Sequence, residues 1–130
     1  MRATPRGPAA DDAAASLAPL RAPLTQAFIR TCDAMLHARR EGETFGLAIA
    51  EFAAHNRPVI TSRDAHDRGR ARFHLDALGD RGLYYHDKAS LLRLLQGFNR
   101  TAARESDWRA YREFTPRPVM RQFERIFLQG

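Results

Sequence analysis

The densest group of residues that could do chemistry lies between His37 and Glu51, where a histidine and several charged residues surround a short glycine-containing turn. Carboxylates such as that of Glu43 accept hydrogen bonds from neighbouring hydroxyl groups. A helix that begins near Thr44 would present unpaired N–H groups and a positive dipole end, and Gly46 has no side chain to keep a phosphate from the backbone. These residue types favour a ligand that carries both hydroxyl and phosphate groups.

The spacing of the two glutamates indicates the length of that ligand. Glu43 and Glu51 are eight positions apart, which is about 12 Å at a helical rise of ~1.5 Å per residue. The carboxylate pair of a glycosidase is only ~5 to ~9.5 Å apart. Two carboxylates at the longer distance could hold opposite ends of one elongated ligand, such as a nucleotide sugar. In a purely structural alternative, Glu43 or Thr44 caps the helix and Gly46 packs near a strand.

Hydropathy patterns place this group between two strands. A short apolar run over 33–38 is typical of a buried strand, and helical spacing of apolar residues over 45–53 predicts a helix. Pro58 ends that helix, and Val59–Thr61 is expected to be a second strand. Because about twenty residues separate the two strands, we expect a right-handed parallel crossover, whose carboxyl edge is where ligands bind in open α/β sheets.

The rest of the sequence continues an α/β pattern. Asp87 is a suitable N-cap for a helix over 88–98, and Thr115 with Pro116 begins a last helix whose apolar face is formed by Val119, Met120, Phe123, Ile126 and Phe127. The other expected elements are a charged loop over 62–72, a helical turn over 73–78, a strand over 83–86 and a helix over 102–114. The fold class is therefore α/β, a partial Rossmann-like parallel sheet of about three strands with helices on its faces.

Two regions differ in composition. Residues 1–23 are rich in Ala, Pro and Arg and show no apolar periodicity, so we expect a disordered or extended lead-in. Residues 24–130 are expected to form the folded domain and to begin with a short amphipathic helix over 24–31.

The residues of the central group resemble a known family. Glu43-Thr-Phe-Gly-Leu47, followed by Glu51 and then by Arg57-Pro-Val-Ile60, is similar to the motif of two glutamates separated by seven residues in retaining GT-B glycosyltransferases of family 4. The strand, the turn, the second glutamate and the Pro-Val pair occur in the expected order. The resemblance covers the second half of the C-terminal, donor-binding lobe of that family.

The resemblance implies roles for individual residues. Glu43 would be the catalytic residue that contacts the donor sugar, and Glu51 would bind the ribose hydroxyls. Backbone N–H groups of Phe45, Gly46 and Leu47 would face the sugar and the diphosphate. His37, at the end of its strand, could face phosphate or sugar, or could be a structural histidine. Arg39 and Arg40 could replace the basic residues that the family places early in the lobe, or could form a solvated turn.

The resemblance also implies an activity. A sugar would be transferred from a nucleotide-sugar donor to an unknown acceptor with retention of configuration, without a metal or other cofactor. The acceptor lobe, the glycine-rich turn and the Arg and Lys of the early donor lobe have no counterpart in the sequence, which predicts a truncated enzyme or a fragment of a longer transferase. Whether the chain alone is an enzyme is left open, and a separate acceptor-binding lobe is an expected partner.

Composition restricts the other classes of function. The sequence has 130 residues, one cysteine and a formal net charge of +6, and no apolar run approaches the ~20 residues of a membrane span. We expect a cytoplasmic protein without an integral membrane segment. The five histidines lack metal-ligand spacing. Acidic residues within 63–72 disfavour nucleic-acid binding, which would be strongly salt-dependent. A module of another class, non-catalytic and assembling through an exposed strand edge into a homo-oligomer, is the main alternative.

Overall fold

The structure is a computed structural model that describes residues 22–39, 42–63 and 71–129. The chain divides into two units, Met1–Thr31 and Cys32–Gly130. In the first unit, residues 22–31 form helix α1, which therefore includes Ala22 and Pro23 from the expected lead-in. The hydroxyl of Thr31 donates to the Phe28 carbonyl at 2.7 Å. The rest of the expected lead-in, residues 1–21, lies outside the described residues.

The second unit contains the parallel sheet that the sequence predicts. Its strands are β1 (Met35–His37), β3 (Val59–Ser62) and β5 (Leu83–Tyr85), in the spatial order β1-β3-β5. Both neighbouring pairs are parallel. Helix α2 (Leu47–Ala54) connects β1 to β3, as parallel strands require. The predicted α/β fold class, with a three-stranded parallel sheet flanked by helices, is confirmed.

The remaining elements lie between the strands of the sheet or after them. They are β2 (Gly42–Glu43), β4 (Ala71–Arg72), α3 (Phe73–Leu78), a 3₁₀ turn (Gly79–Arg81), α4 (Lys88–Gln96), α5 (Arg100–Glu105), a second 3₁₀ turn (Arg112–Phe114), α6 (Pro116–Phe123) and a π-helical turn (Glu124–Leu128). Asp87 caps α4 as expected, since its side chain accepts from the Ser90 N–H at 2.6 Å and the Ser90 hydroxyl accepts from the Asp87 N–H at 3.0 Å.

Strands β2 and β4 form a second parallel pair that the sequence does not predict. Gly42 lies opposite Ala71, and Glu43 lies opposite Arg72. The glycine-containing turn expected between His37 and the helix, and the charged loop expected over 62–72, are therefore wrong at these positions. Two-residue strands of small and charged residues carry no alternation of hydropathy, so their pairing depends on the tertiary fold. Residues 40–41 and 64–70 lie outside the described residues.

Two helix predictions also need correction. Helix α2 begins at Leu47 rather than near residue 45, because Gly46 has a left-handed backbone conformation. The helix predicted over 102–114 ends at Glu105. The Ser106 hydroxyl donates to the Ala102 carbonyl, and the Asp107 carboxylate accepts from the Arg109 N–H. Side chains that bond the local backbone in this way compete with continuation of a helix.

The core lies between the sheet and the elements that cover it. Its buried residues are Ile49, Ala53, Val59, Leu78, Ala110 and Tyr111. In α4, Leu92 and Leu95 are about half exposed, at 53% and 45%, so these two leucines do not supply the core contacts that their spacing suggests. None of the helices in the described parts of the chain has the length and apolar character needed to cross a membrane.

Candidate functional site

The carboxyl edge of the sheet carries a buried polar pair. His37 ends β1 and lies opposite Thr61 of β3. The His37 Nδ1 atom is 2.9 Å from the Thr61 hydroxyl oxygen. The two residues are only 7% and 1% exposed. The sheet thus holds the His37 ring at the edge where open α/β sheets bind ligands.

Glu43 lies beside this pair and is ionised. Its Oε1 accepts a hydrogen bond from Arg39 Nη1 at 2.9 Å and lies 3.6 Å from His37 Nε2. Burial raises the pKa of the Glu43 carboxyl, but the hydrogen bond and charge of Arg39, together with His37, outweigh this effect and leave the pKa below its usual value. A carboxylate that stays charged at neutral pH accepts hydrogen bonds and does not act as a general acid.

His74 completes the polar group from the start of α3. Its ring lies edge-on to the His37 ring, with 5.2 Å between the centroids, and it is 1% exposed. Desolvation lowers the pKa of His74, and the nearby His37 lowers it further, against the opposing effect of a hydrogen bond with the Glu43 backbone. His74 is therefore held neutral in a position that the sequence interpretation did not assign to the site.

Two buried nitrogen atoms of this group lack a hydrogen-bond partner among the described residues. They are His37 Nε2 and His74 Nδ1. Buried polar atoms in proteins are normally satisfied by protein, water or ligand. The unpaired atoms therefore mark the place where a polar group of a ligand, or a bound water, would be stabilised.

Gly46 connects this polar group to helix α2. Its φ and ψ angles of 78° and 64° are those of a left-handed residue, which side chains other than Asn and Asp rarely tolerate. A Cβ atom at this position would lie 3.1 Å from Ile49 Cδ1, 3.4 Å from the Tyr111 hydroxyl and 3.5 Å from Glu43 Cβ. Gly46 is itself the N-cap, without a side-chain cap, so the alternative in which Glu43 or Thr44 caps the helix is wrong.

The ring of Phe45 packs in a cluster of four aromatic residues. It stacks on Phe73 at 5.6 Å between centroids and meets the rings of Tyr111 and Phe114 edge-on at 5.3 Å and 5.2 Å. The Tyr111 hydroxyl donates to the Phe45 carbonyl at 2.7 Å. Burial, followed by the charge of Glu43, raises the pKa of Tyr111 to about 12. Phe45 thus fixes the turn through its side chain and carbonyl, which leaves only its N–H for the predicted ligand contact.

A groove of about 430 Å³ runs along the outer face of α2. Leu47, Ala50 and Glu51 line one wall, and the segment 109–116 lines the other. Glu51 is exposed, as is Arg109 on the opposite wall. A carboxylate and a guanidinium therefore face the same groove, next to the first residue of the helix. A ribose phosphate is bound by an acceptor for its hydroxyl groups and a donor for its phosphate oxygens, and the carboxylate of Glu51 and the guanidinium of Arg109 are groups of these two kinds.

Hydrogen bonds fix the second wall of the groove. Asn56 has a left-handed backbone with φ of 55°, and its amide donates to the Ser106 carbonyl at 3.0 Å while accepting from the Trp108 N–H at 2.8 Å. Arg112 forms an ion pair with Asp107, and its Nε donates to the Arg109 carbonyl at 3.0 Å. These contacts order the segment that carries Arg109.

The residues predicted for the site occupy two neighbouring places. His37, Arg39 and Glu43 meet at the sheet edge, and Phe45, Leu47 and Glu51 line the groove; Gly46 lies between the two. The estimate of 12 Å between the glutamates assumed one continuous helix, which is wrong because Glu43 belongs to β2. Arg39 contacts Glu43 while its side chain stays 58% exposed to solvent. No group of three potential metal ligands was found in the described parts of the chain.

The sequence interpretation missed four residues of this region. The register of the two predicted strands could have suggested Thr61 as a neighbour of His37, since Thr61 ends the second predicted strand opposite His37. His74 follows the unpredicted β4, and Arg109 and Tyr111 were assigned to a helix that ends before them. They reach the site only through long-range packing, of which the sequence contains no local sign.

No family model matches the chain, and neither a curated protein nor a solved structure matches it significantly.

Proposed function

We propose that this chain is the donor-binding part of a retaining glycosyltransferase of the GT-B type and that it binds a nucleotide sugar at the carboxyl edge of its sheet. The observation that carries the proposal is the carboxylate of Glu43, which accepts a hydrogen bond from Arg39 beside the left-handed turn at Gly46. Together with the parallel α/β sheet, this arrangement supports the resemblance of residues 43–60 to that family.

Glu43 is suited to the donor sugar. Its Oε1 is bound by Arg39 and approached by His37. A carboxylate fixed in this way can accept hydrogen bonds from sugar hydroxyls and stabilise positive charge that develops on the sugar ring. It would act as a catalytic residue through charge, with the acceptor supplied by a second lobe. No cofactor or metal is part of this proposal.

The groove is suited to the nucleotide. The N–H groups of the first turn of α2, which begins at Leu47, have no partner within the helix and favour an anion. Glu51 can accept from ribose hydroxyls, and Arg109 can bind the diphosphate from the opposite wall. Arg109 thereby supplies a cation that the sequence interpretation sought in Arg39 and Arg40.

The proposal is tested by measuring thermal stability in the presence of nucleosides, nucleoside diphosphates and nucleotide sugars. A ligand at 100 times its Kd stabilises the folded state by about 2.7 kcal/mol. We expect stabilisation by one nucleotide sugar and its diphosphate. Glu43→Gln should reduce binding of the nucleotide sugar, Glu51→Gln should reduce binding of every ribonucleotide, and Arg109→Gln should weaken the diphosphate relative to the nucleoside.

Glu105→Gln is the matched control, because it removes an exposed carboxylate from α5. It should bind every ligand as the unsubstituted chain does. A folded chain that responds to no member of the panel would contradict the proposal. So would a response that is unchanged in both Glu43→Gln and Glu51→Gln.

A second candidate function is assembly through the sheet edge. Within the described part of the chain, β1 pairs only with β3, and Leu36 in this strand is 49% exposed. An open strand edge is a template for pairing with another chain. This function predicts a homo-oligomer in sedimentation analysis that Leu36→Lys dissociates, with no dependence on Glu43.

A further inference from the structure

The last helix exposes an apolar stripe that is separate from the proposed donor site. The stripe consists of Val119, Met120, Phe123, Ile126 and Phe127, which repeat at helical spacing across α6 and the π-helical turn. Each side chain is between 43% and 68% exposed, and the rings of Phe123 and Phe127 lie 4.9 Å apart. The stripe is not part of the core cluster. A contiguous exposed patch of large apolar side chains marks an interaction surface.

The other side of the same helix is basic. Arg117, Arg121 and Arg125 follow one another every fourth residue and are exposed. The segment 116–128 contains three arginines and one acidic residue, Glu124. The helix therefore combines an aromatic and aliphatic face with an arginine face, and its charge has the same sign as the chain's net +6.

This combination identifies the chemistry of the partner. Helices that lie in the plane of a membrane surface have Phe and Leu on one face and Lys or Arg on the other, with low overall hydrophobicity. The apolar face enters the boundary between headgroups and acyl chains, and the long arginine side chains reach the lipid phosphates. An anionic lipid surface complements both faces at once, whereas an apolar protein groove would complement only the stripe.

We propose that the C-terminal helix, Pro116–Leu128, attaches this protein reversibly to an anionic membrane surface. Thr115 and Pro116, at the start of the helix, also line the groove along α2. Attachment would therefore place the groove next to the lipid headgroups. The proposal does not depend on the identity of the ligand in the groove.

The test is sedimentation of the full chain with vesicles of phosphatidylcholine alone or with added phosphatidylglycerol. Because each basic residue near an anionic surface contributes about a fivefold gain in binding, we expect affinity at least on the order of tenfold higher for the anionic vesicles, and a loss of this preference at high salt. Phe123→Ser combined with Phe127→Ser should abolish binding to both kinds of vesicle. Arg121→Gln combined with Arg125→Gln should strongly reduce the preference for anionic lipid, because only Arg117 of the three arginines remains.

Leu92→Ser combined with Leu95→Ser is the matched control, because it removes two exposed apolar side chains from α4. It should leave vesicle binding unchanged. Circular dichroism verifies that each variant is folded. If the phenylalanine variant is unfolded, the proposal is tested by the arginine variant and by the salt dependence of vesicle binding. Binding that survives the phenylalanine substitutions would overturn the proposal in favour of attraction by charge alone. Absence of vesicle binding would overturn it as well, and a dimer that depends on the stripe would then identify a second copy as the partner.

Discussion

The imidazole of His37 and the hydroxyl of Thr61 meet at 2.9 Å across a register pair of β1 and β3. The bond engages one ring nitrogen, and the other, Nε2, lies 3.6 Å from the Glu43 Oε1 atom. The pairing of two strands thus sets the orientation of the buried ring relative to the Glu43 carboxylate.

Replacing Thr61 by Val should test this relationship. The substitution removes the hydroxyl, keeps the β-branched shape and leaves His37 Nδ1 buried without its partner, at a cost of about 1 to 3 kcal/mol in the free energy of unfolding. Chemical denaturation measures the loss. Thr101→Val, at an exposed position of α5, is the control and should change stability by less than ~0.5 kcal/mol. Equal losses in the two variants would show that the His37 hydrogen bond contributes nothing.

Arg39→Gln should raise the pKa of Glu43. The substitution removes the hydrogen bond and the charge that oppose the effect of burial. In the unsubstituted chain the depressed pKa stabilises the fold above the ordinary value of 4.5, and this contribution is lost as the pH falls through the lower folded-state value. The stability of the Arg39→Gln variant should therefore fall less than that of the unsubstituted chain as the pH falls through this range. NMR titration of the Glu43 carboxyl measures the pKa directly, and an unchanged value would contradict the ion pair.

Tyr111→Phe should loosen the turn at Phe45. It removes the hydroxyl that donates to the Phe45 carbonyl, and the partly buried carbonyl then lacks this partner, at a cost of about 0.5 to 1.5 kcal/mol. Thermal and chemical unfolding measure this loss of stability. Tyr85→Phe, which removes a hydroxyl from β5, is the control and should have the smaller effect.

Tyr111 should also make the fold sensitive to alkali. Its pKa is raised from 10.0 to about 12 in the folded chain. The resulting contribution to stability is complete below pH 10, declines as the unfolded state ionises, and is lost as the pH rises through about 12. Absorbance titration of the tyrosines should show this late ionisation, and Tyr111→Phe should remove it.

Asn56→Gly and Asn56→Ala should separate two contributions of one residue. Both variants lose the hydrogen bonds to Ser106 and Trp108, each worth about 0.5 to 1.5 kcal/mol. Alanine is additionally strained in a left-handed backbone with a φ of 55°, so the free energy of unfolding should be lower by roughly 1 to 2 kcal/mol for Asn56→Ala than for Asn56→Gly. Urea unfolding gives both values, and an alanine variant as stable as the glycine variant would contradict the strained backbone.

The parallel sheet was predictable because its strands are short apolar runs bounded by turn residues. Helix α4 was predictable as well, since Asp87 is an N-cap directly before the helical pattern. The pairing of Glu43 with Arg72 was not predictable, because neither two-residue strand has a pattern of its own. Its consequence is that Glu43 faces His37 and Arg39 from a strand, although the sequence interpretation placed it at a helix entry.

The groove depends on the least predictable part of the chain. Local apolar spacing over 102–114 favours a helix, but Ser106 and Asp107 bond the neighbouring backbone and Ala110 and Tyr111 are buried. Burial in the core thus overrides local propensity, as tertiary packing commonly does. The roles proposed for Glu43, Glu51 and His37 remain predictions, whereas their positions relative to the turn are now described.

The hydrogen bond from Tyr111 to Phe45 also orders events during protein synthesis. Its partners are 66 residues apart, and the ribosome releases the chain from its N-terminal end. Helix α2 and the three strands of the sheet therefore leave the ribosome before the segment that forms the far wall of the groove. A newly made chain keeps this groove open on one side until residues 109–116 have left the ribosome, so the sheet and α2 are available before the chain can enclose a ligand there.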